Sequence, residues 1–532
     1  MRPLLERLGG FLPAAIALAL PTVFIPFSVD SYILPRAAIV IAGAGLGCGV
    51  ALLLPARPGL GRLRLPLIAA AAAALLAFAF SVSWPVSLVG SYTRYESVPI
   101  RLAYLGLLAV PVWLLRGQRS RDLVIPAFVL GTTVASVQAI WQFVLQNNHL
   151  VSYRPDGNLG NANLLGALLA MAIPLAIDRG LRGSRFLVAW WIGIALMVGA
   201  LFASTSRSGG LGALAACLAL VVFALKGRLA LRGTLAAAAI VGIALLAIML
   251  SPLRLLNDDP GPARIHLWQD AVHMIAVRPL TGWGEDATGL VYGQFLSGDW
   301  VPQPDRAHSG PLDIAATQGL VGLAALGWVL VVWLLGVWRR RFAGSVAALA
   351  AAAIGYTVWV LFNFDWAPAT GAFWLLAGVA WSGVRASELE LEQQPAGITP
   401  VPRRKVLRSM GTVALAAGIV WLAALPVLAD VWYYTSRLDL SVAADPLQGR
   451  YHWVYGKGLI AIGLATRGLD EMLVAGRLGE SDPQLYVDIG DAEQSLGRTA
   501  DAQAAYRMAI KIDPYFGPAQ QRLAGIGVPA SG

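Results

Sequence analysis

The chain has 532 residues, of which 57% are hydrophobic and 13% are charged, and its formal net charge is +10. Soluble proteins carry about 25% charged residues, so this composition excludes a soluble globular protein and indicates a polytopic membrane protein. Its two cysteines fall in apolar stretches and imply neither a disulfide framework nor a cysteine metal site.

Apolar runs long enough to cross a bilayer recur along the chain as far as residue 429. A run of about 18 such residues indicates a transmembrane helix, and on this criterion the sequence predicts about 13 spans. We therefore expect an all-α membrane helix bundle over residues 1–429. The predicted spans are 11–29, 33–55, 65–83, 98–115, 123–145, 163–178, 186–203, 209–225, 234–252, 311–337, 343–363, 370–384 and 408–429.

Basic residues distinguish the two sides of the predicted bundle. Short loops rich in lysine and arginine remain in the cytoplasm. With the N-terminus placed there, every second connection holds at least three basic residues, as at Arg339, Arg340 and Arg341. The sequence therefore predicts a cytoplasmic N-terminus, and the odd number of spans places the C-terminal region on the outer side.

The largest predicted outer loop covers residues 253–310 and contains "ARIHLWQDAVHMIAVRPLTGWG". Its apolar residues recur at helical spacing, which predicts an amphipathic helix at the membrane surface, ended by Pro279 and Gly282. Asp258 and Asp259 precede this helix and are followed by a proline, which is typical of a turn rather than of a metal site. The periodic apolar residues are Ile265, Trp268, Ala271, Val272 and Ile275.

The composition becomes polar after the last predicted span. The segment "DPQLYVDIGDAEQSLGRTADAQAAYRMAIKIDP" fits one tetratricopeptide repeat. We expect residues 430–532 to form an extracytoplasmic α-helical domain of this type. Such repeats bind peptides or proteins, so a protein partner is one interpretation, and a cap over the outer loop is the other.

Three residues of the predicted outer side suit chemistry on a phosphate-bearing substrate: Arg207, Arg264 and His308. Guanidinium groups bind phosphates bidentately, and an imidazole accepts a proton near neutral pH. Each residue also has a structural interpretation. The arginines would then contact lipid headgroups, and the histidine would only be hydrogen-bonded.

The order of four segments resembles the O-antigen ligase and polymerase superfamily. These segments are "GNLGNANLLGALLAMAIPLA", "STSRSGG", "RIHLW…RPLTGWG" and "AHSGPLDIAATQGLVGL", within about residues 80–380. The resemblance implies a GT-C-like bundle in a bacterial inner membrane. It implies transfer of a glycan from an undecaprenyl-pyrophosphate carrier to an acceptor hydroxyl on the outer face. It also implies an inverting reaction without a metal or other cofactor, and no nucleic-acid partner is expected.

The resemblance assigns roles by position in this chain. Arg207 and Arg264 match arginines that would bind the pyrophosphate and stabilise the leaving group, with Trp268 as the aromatic of the second element. His308 matches the histidine that would act as a base for, or position, the acceptor hydroxyl. Ser309 stands where many members have asparagine, and its hydroxyl can still form a hydrogen bond to the substrate.

Four further outer residues are candidates for substrate binding. Asn161 and Asn163 match a Gly-Asn-x-Asn element that would orient sugar or phosphate, and a helix N-cap is the alternative. Arg94 and Arg154 lie near predicted span ends and are further candidate donor contacts.

The acceptor stays open at this stage. A ligase would use a lipid-core sugar, a polymerase would use the growing glycan, and an oligosaccharyltransferase would use a protein side chain. We favour the ligase. A transporter or flippase for an anionic lipid is the alternative from another class, although the chain lacks the half-to-half similarity typical of transporters.

Overall fold

The computed structural model describes residues 2–54, 58–148, 153–183, 186–250, 261–299, 304–391 and 405–526. Within these ranges the chain is helical and contains no strand. Asp258 and Asp259, predicted to form a turn, lie outside the described residues. The helices up to residue 434 are α1 (Arg2–Thr22), α2 (Ile33–Leu53), α3 (Arg64–Ala79), α4 (Trp84–Val89), α5 (Val98–Leu114), α6 (Gln118–Asn147), α7 (Ala162–Leu181), α8 (Leu187–Ser204), α9 (Arg207–Ala224), α10 (Gly227–Leu250), α11 (Gly261–Val277), α12 (Gly310–Arg339), α13 (Val346–Val360), α14 (Ala367–Leu391) and α15 (Lys405–Tyr434). Six helices follow: α16 (Leu438–Ala444), α17 (Gly449–Ala461), α18 (Ala465–Arg477), α19 (Pro483–Ser495), α20 (Thr499–Ile512) and α21 (Gly517–Gly525).

Every predicted span coincides with a helix, so the chain is an all-α polytopic membrane bundle. In the described ranges nine helices are long and apolar enough to cross a membrane, and three further apolar helices are shorter. The largest difference is at the first span. The sequence predicts it to residue 29, but α1 ends at Thr22, and a loop containing Pro26 follows.

Helices α7 and α14 form the centre of the bundle, with most of their apolar residues buried by other helices. Alanine and glycine permit close packing around them. Gly212 of α9 and Gly355 of α13 illustrate this, since a Cβ added to Gly212 would lie 2.7 Å from the Gly355 carbonyl oxygen.

The two ends of the bundle differ in character. At one end, which we call the basic end, side chains join neighbouring connections: Arg182 donates to the Gly344 carbonyl at 2.9 Å, and Arg385 donates to that of Gly59 at 3.0 Å. The opposite end carries the longer connections, and we call it the loop end. Its described connections are residues 23–32, 80–97, 153–161, 205–206, 278–299 with 304–309, and 361–366.

Helix α12 is broken near the loop end, a feature that the sequence prediction of one continuous span did not contain. Gly319 has a φ of 71° and a ψ of −177° inside the helix, a conformation that glycine adopts without steric cost. The segment after α11 uses the freed backbone groups. Trp283 N donates to the Ala316 carbonyl at 2.9 Å, and Leu320 N donates to the Pro279 carbonyl at 2.7 Å. A break at this depth is compatible with a membrane because protein groups satisfy the backbone.

The helices after residue 434 pack against the loop end. Asp430, near the end of α15, is fully buried and accepts hydrogen bonds from the Tyr92 hydroxyl at 2.6 Å and the Tyr451 hydroxyl at 3.2 Å. Gln448 donates to the Gly90 carbonyl at 3.2 Å. Helices α17 with α18, and α19 with α20, form the most extensive pairs in this region. Their classification as tetratricopeptide repeats, and the boundary at residue 430, stay predictions.

Candidate functional site

The first group of predicted site residues lies where α7, α8 and α9 reach the loop end. Asn161 is the N-cap of α7, and its side chain accepts a hydrogen bond from the backbone of Asn163 at 2.8 Å. The Asn163 oxygen accepts from Ser206 at 3.1 Å and from Arg154 at 3.3 Å. Arg154 also donates to the Ser204 carbonyl at 3.0 Å. Both asparagines therefore have structural partners here, and Arg154 holds the α8–α9 connection.

Arg207 is the first residue of α9 and is half-buried. Ser206 caps this helix by accepting from Gly209 N at 3.2 Å, and Thr205 before it has a φ of 50°. The N-terminus of a helix carries a partial positive charge and unsatisfied N–H groups. The guanidinium and the helix end therefore both favour an anion at this position.

Helix packing relates Arg207 to the loop after α13. Gly212 and Gly355 are in contact, and α9 and α13 run in opposite directions. Arg207 lies five residues before Gly212, and Val360 lies five residues after Gly355. At 1.5 Å of rise per residue, these equal offsets place Arg207 level with Val360. Residues 361–366 begin at that level, and we call them the aromatic loop because they contain Phe362, Phe364 and Trp366.

The aromatic loop contacts three of the predicted site residues. The Phe362 ring lies 6.4 Å from that of Trp268 on α11. The Phe364 ring meets the His308 ring edge-on, with centroids 5.1 Å apart. The Arg94 guanidinium lies 4.7 Å from the Phe364 ring centroid and 4.8 Å from that of Trp366. The fold therefore brings residues from three distant parts of the chain to one loop.

His308 and Ser309 precede the first turn of α12. His308 is half-buried and has a φ of 51°, a left-handed conformation that is uncommon for residues other than glycine. Ser309 is the N-cap, but its side chain makes no capping hydrogen bond. Backbone strain of this kind persists where the surroundings hold it, and here the Phe364 ring packs against the imidazole.

The Arg94 guanidinium forms an ion pair with Asp305 of the same chain. Its Nε lies 2.6 Å from one oxygen of Asp305 and its second nitrogen lies 3.2 Å from the other. This bidentate pair joins residues 91–96 to the segment just before His308. Asp305 thus positions Arg94, and through it the aromatic loop.

Helix α11 carries Arg264 and Trp268, both half-buried. It packs onto the protein through Leu267 and Met274, which are fully buried. Of the apolar residues predicted to share one side, Ala271 is also fully buried, whereas Ile265 and Val272 are about half exposed. The predicted apolar side is therefore divided between contact with the protein and exposure to the surroundings.

A buried charge network beside these residues was missed by the sequence reasoning. Arg101 on α5 donates from Nε to Glu285 at 3.1 Å, pairs with Asp365 of the aromatic loop, and lies 3.7 Å from Glu96. Glu285 in turn accepts from Gln318 at the break in α12. The available signal was an arginine inside an apolar run, because an ionised group there needs partners.

Burial has a direct electrostatic effect at one member of the network. It raises the pKa of Glu96 from 4.5 to about 7, while the Arg101 guanidinium opposes the rise. The Tyr104 hydroxyl donates to this carboxyl at 2.7 Å. Burial therefore favours the protonated form of the Glu96 carboxyl.

This fold and this end of the bundle define a class: a polytopic α-helical membrane protein with arginines, an imidazole and aromatic rings gathered at its loop end. A family model described as O-Antigen ligase matches residues 192–327. This match supports a relationship of that part of the chain to the O-antigen ligase superfamily, and with it a membrane glycan-transfer function. It runs from α8 into α12 and includes Arg207, Arg264 and His308. No curated protein and no solved structure matches the chain.

Proposed function

We propose that the chain is a membrane glycosyltransferase of the O-antigen ligase type. It transfers a glycan from an undecaprenyl-pyrophosphate carrier to an acceptor hydroxyl on the outer face of the bacterial inner membrane, and no metal takes part. The observation that carries this proposal is the family match across Arg207, Arg264 and His308. The contacts of the aromatic loop with His308 and Trp268, beside the end of α9, support it.

The proposed chemistry is a single displacement at the anomeric carbon. The acceptor oxygen forms a bond to that carbon while the bond to the pyrophosphate oxygen breaks, which inverts the configuration. His308 takes the proton from the acceptor hydroxyl. Arg207 and Arg264 stabilise the negative charge that develops on the leaving polyprenyl pyrophosphate.

The acceptor is the finer part of the proposal. Ligation to a lipid-core sugar remains the first choice, with polymerisation and protein glycosylation as alternatives. The helices after residue 434 pack on residues 83–92 and 289–293, close to the segments that hold Arg94 and His308. A partner or acceptor bound to those helices would therefore be delivered to the loop end.

Reconstitution in proteoliposomes tests the proposal. The full chain is given a polyprenyl-pyrophosphate-linked glycan and candidate acceptors, with and without a metal chelator, and the product mass is read. We expect transfer that survives the chelator. Arg207→Ala, Arg264→Ala and His308→Ala should each reduce it by about a hundredfold, the effect of removing one transition-state contact.

Two matched controls separate chemistry from general damage. His273→Ala removes an exposed histidine of α11, and Arg437→Ala removes an arginine whose side chain is 62% exposed. Both should transfer glycan at the native rate. Movement of intact lipid-linked glycan across the bilayer without any glycan transfer would exclude the glycosyltransferase and favour a transporter. Transfer that survives His308→Ala would remove the base from the mechanism.

A further inference from the structure

A cavity of about 160 Å³ lies inside the bundle, just below the loop end. Helices α3, α5, α12, α13 and α14 enclose it. Gly310 and Pro311, the residues that follow His308 and Ser309, form part of its wall. The cavity therefore adjoins the candidate site on the membrane side and is separate from the ends of α7 and α9.

The cavity opens sideways between α12 and α13. These helices follow each other in the chain, yet they touch at few positions, because α12 packs along α3 instead. On α12 the lining residues Leu323, Leu326 and Leu330 are only half-buried. On the other side Thr357 and Leu361 are exposed. In a bilayer this opening faces hydrocarbon, so a lipid chain has direct access.

The walls and the roof of the cavity have opposite characters. Alanine, leucine and aromatic side chains line the walls, including Ala70, Ala74 and Trp374. The roof consists of Arg101, Gln318 and Asp365, together with Tyr356, whose hydroxyl donates to Asp365 at 2.8 Å. This combination suits an amphiphile with its chain between the helices and its polar end beneath the roof.

The charges at the roof and behind it determine which charge the polar end of a bound amphiphile can carry. One guanidinium, Arg101, is shared among Glu96, Glu285 and Asp365. The next one, Arg306, is buried against Asp286, so it adds no excess positive charge. Even with Glu96 protonated, the carboxylates of Asp365 in the roof and of Glu285 behind it outnumber the Arg101 guanidinium. A phosphate or pyrophosphate without a balancing cation would therefore be repelled in this poorly solvated place.

We propose that this cavity binds one chain of a lipid whose headgroup carries an ammonium, with the ammonium beneath Asp365 and the chain between α12 and α13. The site is distinct from the place where the anionic carrier of the proposed reaction binds. It does not depend on that reaction, since it follows from the shape and charge of the cavity alone.

Native mass spectrometry of the detergent-solubilised full chain tests the proposal. The probes are phosphatidylethanolamine and phosphatidylglycerol with identical acyl chains. We expect the ammonium-bearing lipid to be retained about fivefold more than the anionic one, as an excess of negative charge requires. Undecaprenyl phosphate should not displace it. Equal retention, preference for the anionic lipid, or displacement by the polyprenyl phosphate would each overturn the assignment.

A cavity-filling variant separates this site from lipids bound elsewhere on the surface. Gly327 lines the cavity, and a Cβ added there meets no atom within 4 Å, so the side chain of Gly327→Leu starts in open space and occupies part of the cavity. Gly418 of α15 offers equally open space away from the cavity. Gly327→Leu should lower the bound phosphatidylethanolamine about fivefold, and Gly418→Leu should leave it unchanged. Equal behaviour of the two variants would refute the site.

Asp365→Asn examines the headgroup preference itself. It removes one negative charge from the roof while keeping an oxygen that accepts from Tyr356. The preference for the ammonium-bearing lipid should fall to about half or less. An unchanged preference would show that the roof charge does not select the headgroup, whatever the result for Gly327→Leu.

Discussion

Replacing Arg101 by methionine should be among the most damaging single changes in the bundle. The substitution leaves Glu285, whose side chain is 0% exposed, and Asp365, whose side chain is 12% exposed, without their guanidinium. Asp365 lines the cavity and keeps Tyr356 as a donor, whereas Glu285 is fully enclosed and keeps Gln318 as a donor. Removing one partner of a buried ion pair costs about 3–5 kcal/mol, and we expect a loss of unfolding free energy within this range.

The source of that loss can be isolated by a double-mutant cycle. Arg101→Met with Glu285→Gln removes the fully enclosed one of the charges that Arg101→Met leaves uncompensated, so the double variant should recover about 2 kcal/mol relative to additivity. Arg182→Met is the matched control, because its i,i+4 pair with Asp178 is partly exposed and should contribute about 0–1 kcal/mol.

Unfolding by denaturant in mixed micelles gives the free energies, and the glycan-transfer assay shows whether the aromatic loop has shifted. The reasoning is refuted if Arg101→Met is as mild as Arg182→Met. It is equally refuted if the two charge-removing changes are additive.

Three further changes test other features of the fold. The raised pKa of Glu96 means that its stabilising contribution is complete below the unfolded pKa of 4.5 and is lost as the pH rises through about 7. Glu96→Gln should therefore flatten the fall in unfolding free energy between about pH 5 and 8. An unchanged slope would exclude this carboxyl as the source of that fall. Asp430→Asn weakens a buried acceptor of four donors, so it should lower the free energy of unfolding by about 2–3 kcal/mol. It should also make the C-terminal helices more sensitive to limited proteolysis. Native-like resistance would contradict the role of this junction. A Cβ at Gly490 would lie 2.3 Å from the Tyr506 ring, so Gly490→Ala should lower the free energy of unfolding by about 1–3 kcal/mol. Gly525→Ala, where the added Cβ has open space, should be neutral. Equal melting temperatures for the two variants would show that α19 and α20 do not pack as described.

The candidate site was predictable only in part. Arg207, Arg264 and His308 could be selected because each belongs to a short motif in a connection predicted to be on the outer side. Their neighbours could not be selected in this way. Phe364 and Trp366 of the aromatic loop lie in an ordinary apolar stretch, and only the packing of α9 against α13 brings that loop to the end of α9.

The asparagine motif shows the opposite case. Asn161 has the residue type and position of a helix N-cap, and that local role is what the structure contains. Local hydrogen bonds of this kind depend on near neighbours in the chain, so a sequence pattern reports them directly.

The sequence by itself determined the class of protein, the position of nearly every membrane helix and the separation of a basic end from a loop end. These properties follow from the length of apolar runs and the placement of basic residues, which are local quantities. Only the tertiary structure decided the break in α12, the lateral cavity and the charge network. Arg101 meets Glu285 and Asp365 across 184 and 264 residues of chain. No periodicity encodes such distances, and a buried ion finds its partners only where packed helices bring them.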